Sequence, residues 1–266
     1  MRKFYITNGK NNVKYLTVPS SKIFMNDPKG LGYSQTLSTD QYGNKINAQA
    51  DTNFGTIDGE IVFLNDTMSG KYDKYNSFVD FLSYKPLVLS YTIPTSPAQT
   101  FTIDVEVLSL DKTEIDSGNS LRCAVSFQCL SRWKGNSFFQ MGTTSVSLAN
   151  NGHFPVGFTI TINGTNMENP YFTLEQNSEL YGEGKFLGTF SKVTVNSEDG
   201  NQNVELQQNG SVLPNPLGYQ DLSISNGSIY VTFVKLARGT STWTVGVDSG
   251  TVTNYFVNYT PLYRSV

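Results

Sequence analysis

Short runs in which apolar and polar residues alternate recur along the chain: KYLTV, GEIVFL, PLVLSYTI, FTIDVEVLSL, LRCAVSFQCL, GFTITING, SKVTVN, SIYVTFVKL, STWTVGVD and NYFVNYTP. A period of two sends successive side chains to opposite faces of a strand, and Asn, Gly, Asp and Pro punctuate the runs. The pattern predicts a mainly antiparallel β protein. One segment has a different period. In SGKYDKYNSFVDFLSYKP, the residues Tyr72, Tyr75, Phe78, Val79 and Leu82 fall at helical spacing. This predicts a helix from about Lys71 to Tyr84, packed through that face. It ends before Pro86, whose ring disfavours helix in the preceding residue.

The stretch FMNDPKGLGYS, Phe24 to Ser34, reads as a loop with two possible uses. A phosphate loop needs glycines followed by Lys and Ser or Thr at a helix start, so that backbone N–H groups converge on the anion. Here the lysine precedes the glycines, and no helical pattern follows. The turn reading accounts for each residue. Asn26 and Asp27 can bond backbone N–H groups ahead of them, Pro28 fixes φ, and Gly30 and Gly32 allow positive φ.

Composition narrows the class. The net charge is −3 over 266 residues, which excludes a nucleic-acid footprint. Apolar runs fall far short of the ~18 residues that cross a bilayer. The start, MRKFYITNGK, goes straight into polar residues, so no signal peptide is expected and the protein should be soluble and made in a cytosol. Charge also shifts along the chain. Residues 1–145 carry a net charge of +1 and residues 146–266 a net of −4. The polar stretch TTSVSLANNGH at the change reads as a linker. Two domains follow, an N-terminal β domain with one helix (1–145) and a C-terminal β-sandwich (150–266).

Catalytic chemistry is hard to find. His153 is the only histidine, and no G-x-S-x-G nucleophile elbow accompanies it, so a solvated loop residue is expected. Asp104 and Glu106 lie two apart on one strand, at ~6.6 Å, near the spacing used in glycoside hydrolysis. Ile103, Val105 and Val107 take the opposite, core-bound face, which leaves the carboxylates solvated. Asp58 and Glu60 repeat the arrangement. Trp243 shares a face with Val245 and Val247 and should be core. Trp133 follows a strand end and should be half exposed. Cys123 and Cys129 sit on one strand ~20 Å apart, beyond the about 7 Å of a disulfide, and read as small core residues. The Asn-x-Ser/Thr triplet at Asn163 would matter only in a secreted eukaryotic protein. No catalytic, cofactor-binding or metal-binding residue is expected.

Several motifs occur in a telling order. NDPKGLGYS (Pro28, Gly30, Leu31, Gly32) precedes IDGEIVF (Gly59, Phe63), the aromatic helix YDKYNSFVDFL and KPLVLSY (Leu87, Leu89, Tyr91). LDKTEID (Lys112, Glu114) leads to LRCAVSFQCLSRW (Leu121, Phe127, Ser131, Trp133). The second half adds FTITINGTNMENPYFTL (Ile162, Gly164, Asn169, Pro170), LARGTSTWTV (Gly239) and the end VNYTPLYRSV. Over essentially its whole length the chain resembles the siphophage distal tail protein family. The resemblance implies a belt domain closing a homohexameric ring, open to stacking, with a galectin-like β-sandwich outside it. That ring would be a structural baseplate hub in the virion tail tip, assembled in the cytoplasm of a Gram-positive host. Its partners would be the tail tube, the tail-tip protein and receptor-binding proteins, and it would be no enzyme. The alternative is a lectin-like tail protein that binds host carbohydrate, marked by an exposed aromatic with Asn, Asp and Arg beside it. Few such clusters stand out in the sequence. On the family reading, the Gly-Leu-Gly turn shapes the entry to a belt strand.

Overall fold

The computed structural model describes residues 3–17, 22–32, 36–42, 45–51, 55–112, 120–213, 223–225 and 229–266. They form two compact units. Unit 1 comprises Met1–Gly135 and Tyr263–Val266, and unit 2 comprises Asn136–Leu262. Unit 2 is therefore inserted into unit 1, with one covalent connection in and one out.

Unit 1 contains β1 (Lys3–Thr7), β2 (Val13–Tyr15), β3 (Ile23–Lys29), β4 (Thr36–Tyr42), β5 (Lys45–Asp51), β6 (Thr56–Phe63), α1 (Met68–Ser83), β7 (Leu87–Ile93), β8 (Gln99–Lys112), β9 (Leu121–Cys129) and β10 (Trp133–Lys134). The main sheet runs β2-β1-β7-β8-β9-β6-β3. Its ends meet at Leu16, whose N–H donates to the Phe4 carbonyl at 2.8 Å and whose carbonyl accepts from Met25 N–H at 3.0 Å. The curl this implies buries one face, and Ile6, Ile57, Ile61, Leu89, Ile103 and Phe127 fill that interior. The hairpin β4–β5 pairs only with itself.

The helix begins three residues before the predicted start. Thr67 caps it, its Oγ1 accepting from Gly70 N–H at 3.1 Å. Lys71, Phe78, Phe81 and Leu82 are buried, with Tyr72 and Tyr75 partly so. Val79, expected on this face, is exposed, and Phe81 takes its place. One residue is ~100° of helix, so a neighbour of Phe78 cannot share its direction, whereas Phe81 at i+3 can. The far end is held by the β1–β2 turn. Asn8 Nδ2 donates to the Phe81 carbonyl at 3.1 Å, and Gly9 N–H donates to the Tyr84 carbonyl at 2.9 Å.

The stretch at Phe24 is not simply a loop. Ile23–Lys29 is the edge strand β3, and its register slips by one residue between Asn26 and Lys29. An edge strand can accommodate this bulge and Pro28, which has no N–H to give a ladder. Asp27 takes φ +44° and Gly30 φ +82°. A Cβ on Gly30 would lie 2.0 Å from the Thr56 carbonyl oxygen, so only glycine fits there. Gly32 has open space around it and no positive φ. Glu114 and the Tyr33–Ser34 end of the first motif lie outside the described residues.

Unit 2 contains β11 (Phe138–Gly142), β12 (Ser145–Asn150), β13 (Phe158–Glu168), β14 (Tyr171–Gln176), β15 (Glu179–Phe186), β16 (Thr189–Asn196), β17 (Asn203–Gln208), β18 (Ser211–Val212), β19 (Ser223–Ser225), β20 (Ile229–Thr232), β21 (Gly239–Gly246) and β22 (Ser249–Tyr259). They make two six-stranded antiparallel sheets, β11-β22-β13-β16-β17-β18 and β12-β21-β14-β15-β20-β19. Both sheets contribute to one core, where Phe158 meets Trp243 edge to face at 4.6 Å. This is a β-sandwich. Two-residue turns at Asn177-Ser178 and Asn209-Gly210, all at positive φ, set hairpin registers.

The stretch TTSVSLANNGH is no linker. Ser145–Asn150 is the edge strand β12, paired with Gly239–Thr244, and Leu148 and Asn150 are buried. Ser145 and Ser147 face outward on a strand that is buried on one side only, which gives the segment the polar character of a connection. The last strand, β23 (Leu262–Tyr263), pairs with β10.

Candidate functional site

Each carboxylate has a hydrogen-bond or ion-pair partner, and three of the four face a cation. Asp104 lies 2.6 Å from Lys134 Nζ, and Glu106 is ion-paired with Lys85. Asp58 accepts from Ser126 Oγ at 2.6 Å and from Thr56 Oγ1 at 2.9 Å. Glu60 pairs with Arg122 at 2.9 Å. All four point away from the core of unit 1, as alternation requires. Asn26, read as a turn residue, donates its side-chain N–H to Glu60 at 3.4 Å. The arrangement balances charge across neighbouring strands and leaves no carboxyl held in an apolar site.

Cys123 and Cys129 are buried free thiols, and burial pushes each up to about 11. Thiols held this high are poor nucleophiles. His153 is exposed, and its N–H donates to the Leu262 carbonyl at 2.7 Å. Trp243 is core, as expected. Trp133 corrects the expectation, being 3% exposed within the core of unit 1. The strand end that suggested exposure is short, and β10 pairs with β8 and β23, which places the indole inward.

Among the described residues no group of His, Cys, Asp and Glu is placed to hold a metal ion. No helix among the described residues is long and apolar enough to cross a membrane. An open groove of about 480 Å³ in unit 1 runs between Val13, Tyr15, Asp73 and Lys74.

One feature escaped the sequence reading. On β11, Phe139 and Met141 are 65% and 57% exposed. Phe139 stacks on Phe256 at 5.1 Å between ring centroids. The segment NSFFQMG shows no alternation, so nothing marked it as a strand or placed Phe256 beside it.

Fold and surfaces together describe a β protein of two units. Residues 3–130 match the family model described as distal tail protein, N-terminal domain. The chain therefore carries a distal tail protein domain over residues 3–130, and that domain points to a structural role in the virion tail tip. Among solved structures it is similar to SPP1 Dit (gp 19.1), described as a paradigm of hub adsorption apparatus in Gram-positive infecting phages. Identity is 12% and the TM-score 0.69, over 97% of this chain and 98% of that one. It is also similar to a chain of the phage P2 baseplate in its activated conformation with Ca, at 11% identity and TM-score 0.55 over the whole of both chains. At these identities the likeness is one of fold. No curated relative matches the chain by sequence.

Proposed function

We propose that the chain closes a homohexameric ring that serves as the baseplate hub, joining the tail tube to the tail-tip protein. Unit 1 carries ring closure as the belt. Unit 2, a galectin-like sandwich with an acidic balance, faces outward to peripheral proteins such as receptor-binding proteins. The observation that carries this reading is the distal tail domain over residues 3–130 together with its separate two-stranded hairpin. An isolated two-stranded hairpin is marginal in water. In this reading a neighbouring subunit packs on β4–β5, and a heterologous contact repeated around an axis closes a ring.

Native mass spectrometry of the full chain tests this. The expected species is a closed multiple of the 29.4 kDa protomer, six in number. A stable monomer at high micromolar concentration, with no ring in the assembled tail, sinks the proposal.

A further inference from the structure

We propose that the outward face of the β11-β22-β13 sheet binds a neutral saccharide, with Phe139 and Phe256 as its platform. Paired residues of neighbouring strands share a face. Tyr255, Val257 and Tyr259 point into the sandwich, so Phe256 and its flanking asparagines point out. Phe256 is opposite Met141 on one side and Thr161 on the other. Asn254 and Asn258 flank it along β22 at ~7 Å. The stacked rings are thus bordered by amides at both ends and a hydroxyl at one side.

The amides are already oriented. Asn163 Nδ2 donates to Asn254 Oδ1 at 2.9 Å. This fixes both side chains and leaves the Asn163 oxygen and the Asn254 nitrogen to face a ligand. A sugar ring offers the complement, with an apolar C–H face for the phenyl rings and a rim of hydroxyls that both donate and accept.

Charge favours the same occupant. The charged residues in these paired rows, Lys192 and Glu205, stand two and three strands from Phe256. At ~4.8 Å per strand they lie ~10–14 Å away. Within the described residues of these rows an ionic ligand meets no counter-charge beside the platform. A protein partner needs more area, since stable interfaces cover about 800 Å² per side. Two rings and one methionine are far smaller than that and match one or two sugar units. The face lies within a single sandwich, so its test does not depend on ring closure.

The test is binding of the full chain to a printed array of neutral and anionic glycans, beside Phe139→Ser and Asn254→Ala variants. Phe139 is exposed, so Phe139→Ser should leave the melting temperature unchanged. The expected result is retention of the wild-type chain on one or more neutral glycans, reduced at least tenfold in both variants. Absence of retention on every glycan overturns the proposal, as does equal retention by the variants or retention confined to anionic glycans. Loss of tail assembly in Phe139→Ser without any glycan signal assigns the face to a protein contact and also overturns it.

Discussion

Unit 1 curls one sheet around its core and covers it with α1, whereas the described residues of unit 2 lay two six-stranded sheets face to face and include no helix. The outer surfaces differ as much as the cores. Among the described residues, ion pairs lace the outside of unit 1, at Asp104–Lys134, Glu106–Lys85 and Glu60–Arg122. The outward rows of β13, β16 and β22 in unit 2 carry mostly Thr and Asn. A curled sheet has tightly twisted strands whose outward groups can meet across the ladder as fixed charge pairs. A sandwich sheet presents a broader face, and neutral side chains leave it open to a ligand or a partner. The core of each unit holds one tryptophan, Trp133 in unit 1 and Trp243 in unit 2. Replacing either by Phe leaves fluorescence that reports the other unit alone.

The largest effect should come from removing the helix's anchor. Phe78 is fully buried and packs on Phe63 at 5.8 Å and on Phe81 at 6.1 Å. Phe78→Ala should cost about 3–5 kcal/mol. In the Trp243→Phe background the unfolding curve should move to lower denaturant. In the Trp133→Phe background it should stay put, because unit 2 holds its own core. Equal shifts in both would mean that the units unfold together, and no shift in either would mean that the helix face does not bear on stability.

Alkaline pH should separate the units next. Burial holds Cys123 and Cys129 at about 11, above the usual value near 9. The unfolded chain gives up these protons first. The stability they contribute is complete below about pH 9 and is lost as pH rises through about 11. In unit 2, Tyr255 is pushed up by burial to about 12 from 10, so its loss starts a unit of pH later. Denaturant melts followed through each tryptophan between about pH 7 and 10 should show unit 1 weakening first. Replacing both cysteines by Ala should flatten the response of unit 1. If unit 2 weakens first, or the double variant keeps the full pH dependence, burial of the thiols is not the cause.

The sequence made long alternating segments legible and hid those with one-sided or irregular burial. β8, β9, β13 and β22 each carry a long stretch of apolar alternation because one face of each is core, and that stretch is readable. β12 reads as a linker in sequence because Leu148 is the only large apolar residue it buries. β3 reads as a loop because its bulge and Pro28 are turn features used on an edge. The helix showed in its spacing, but its start was masked by Ser69 and Gly70, and only the Thr67 cap reveals it. The carboxylate pairs were correctly placed outside, since alternation fixes which face they take. Their lysine and arginine partners lie on other strands, and only register brings those together. The Phe139–Phe256 stack was invisible for the same reason. It joins residues more than a hundred apart through a pairing that neither segment announces.

The smallest effect should come from those carboxylates, and it tests the surface half of the comparison. Asp104 and Glu106 have side chains 37% and 46% exposed, and their lysine partners are each 40% exposed. At that exposure water screens the pair, and such pairs typically contribute between about 0 and 1 kcal/mol. Asp104→Asn with Glu106→Gln keeps the shape of each side chain and removes only the charge. Stability should change by about 0.5 kcal/mol or less, and the mass of the assembled species should not change. Two uncompensated lysines would remain on the outside of unit 1, in reach of water, at little cost. Denaturant melts and native mass of the double variant decide the point. A variant that folds normally yet fails to assemble would show that the charge pairs are seats for a neighbouring subunit. Unit 1 would then bind through its ionic outer face, and the contrast with unit 2 would be one of function as well as of chemistry.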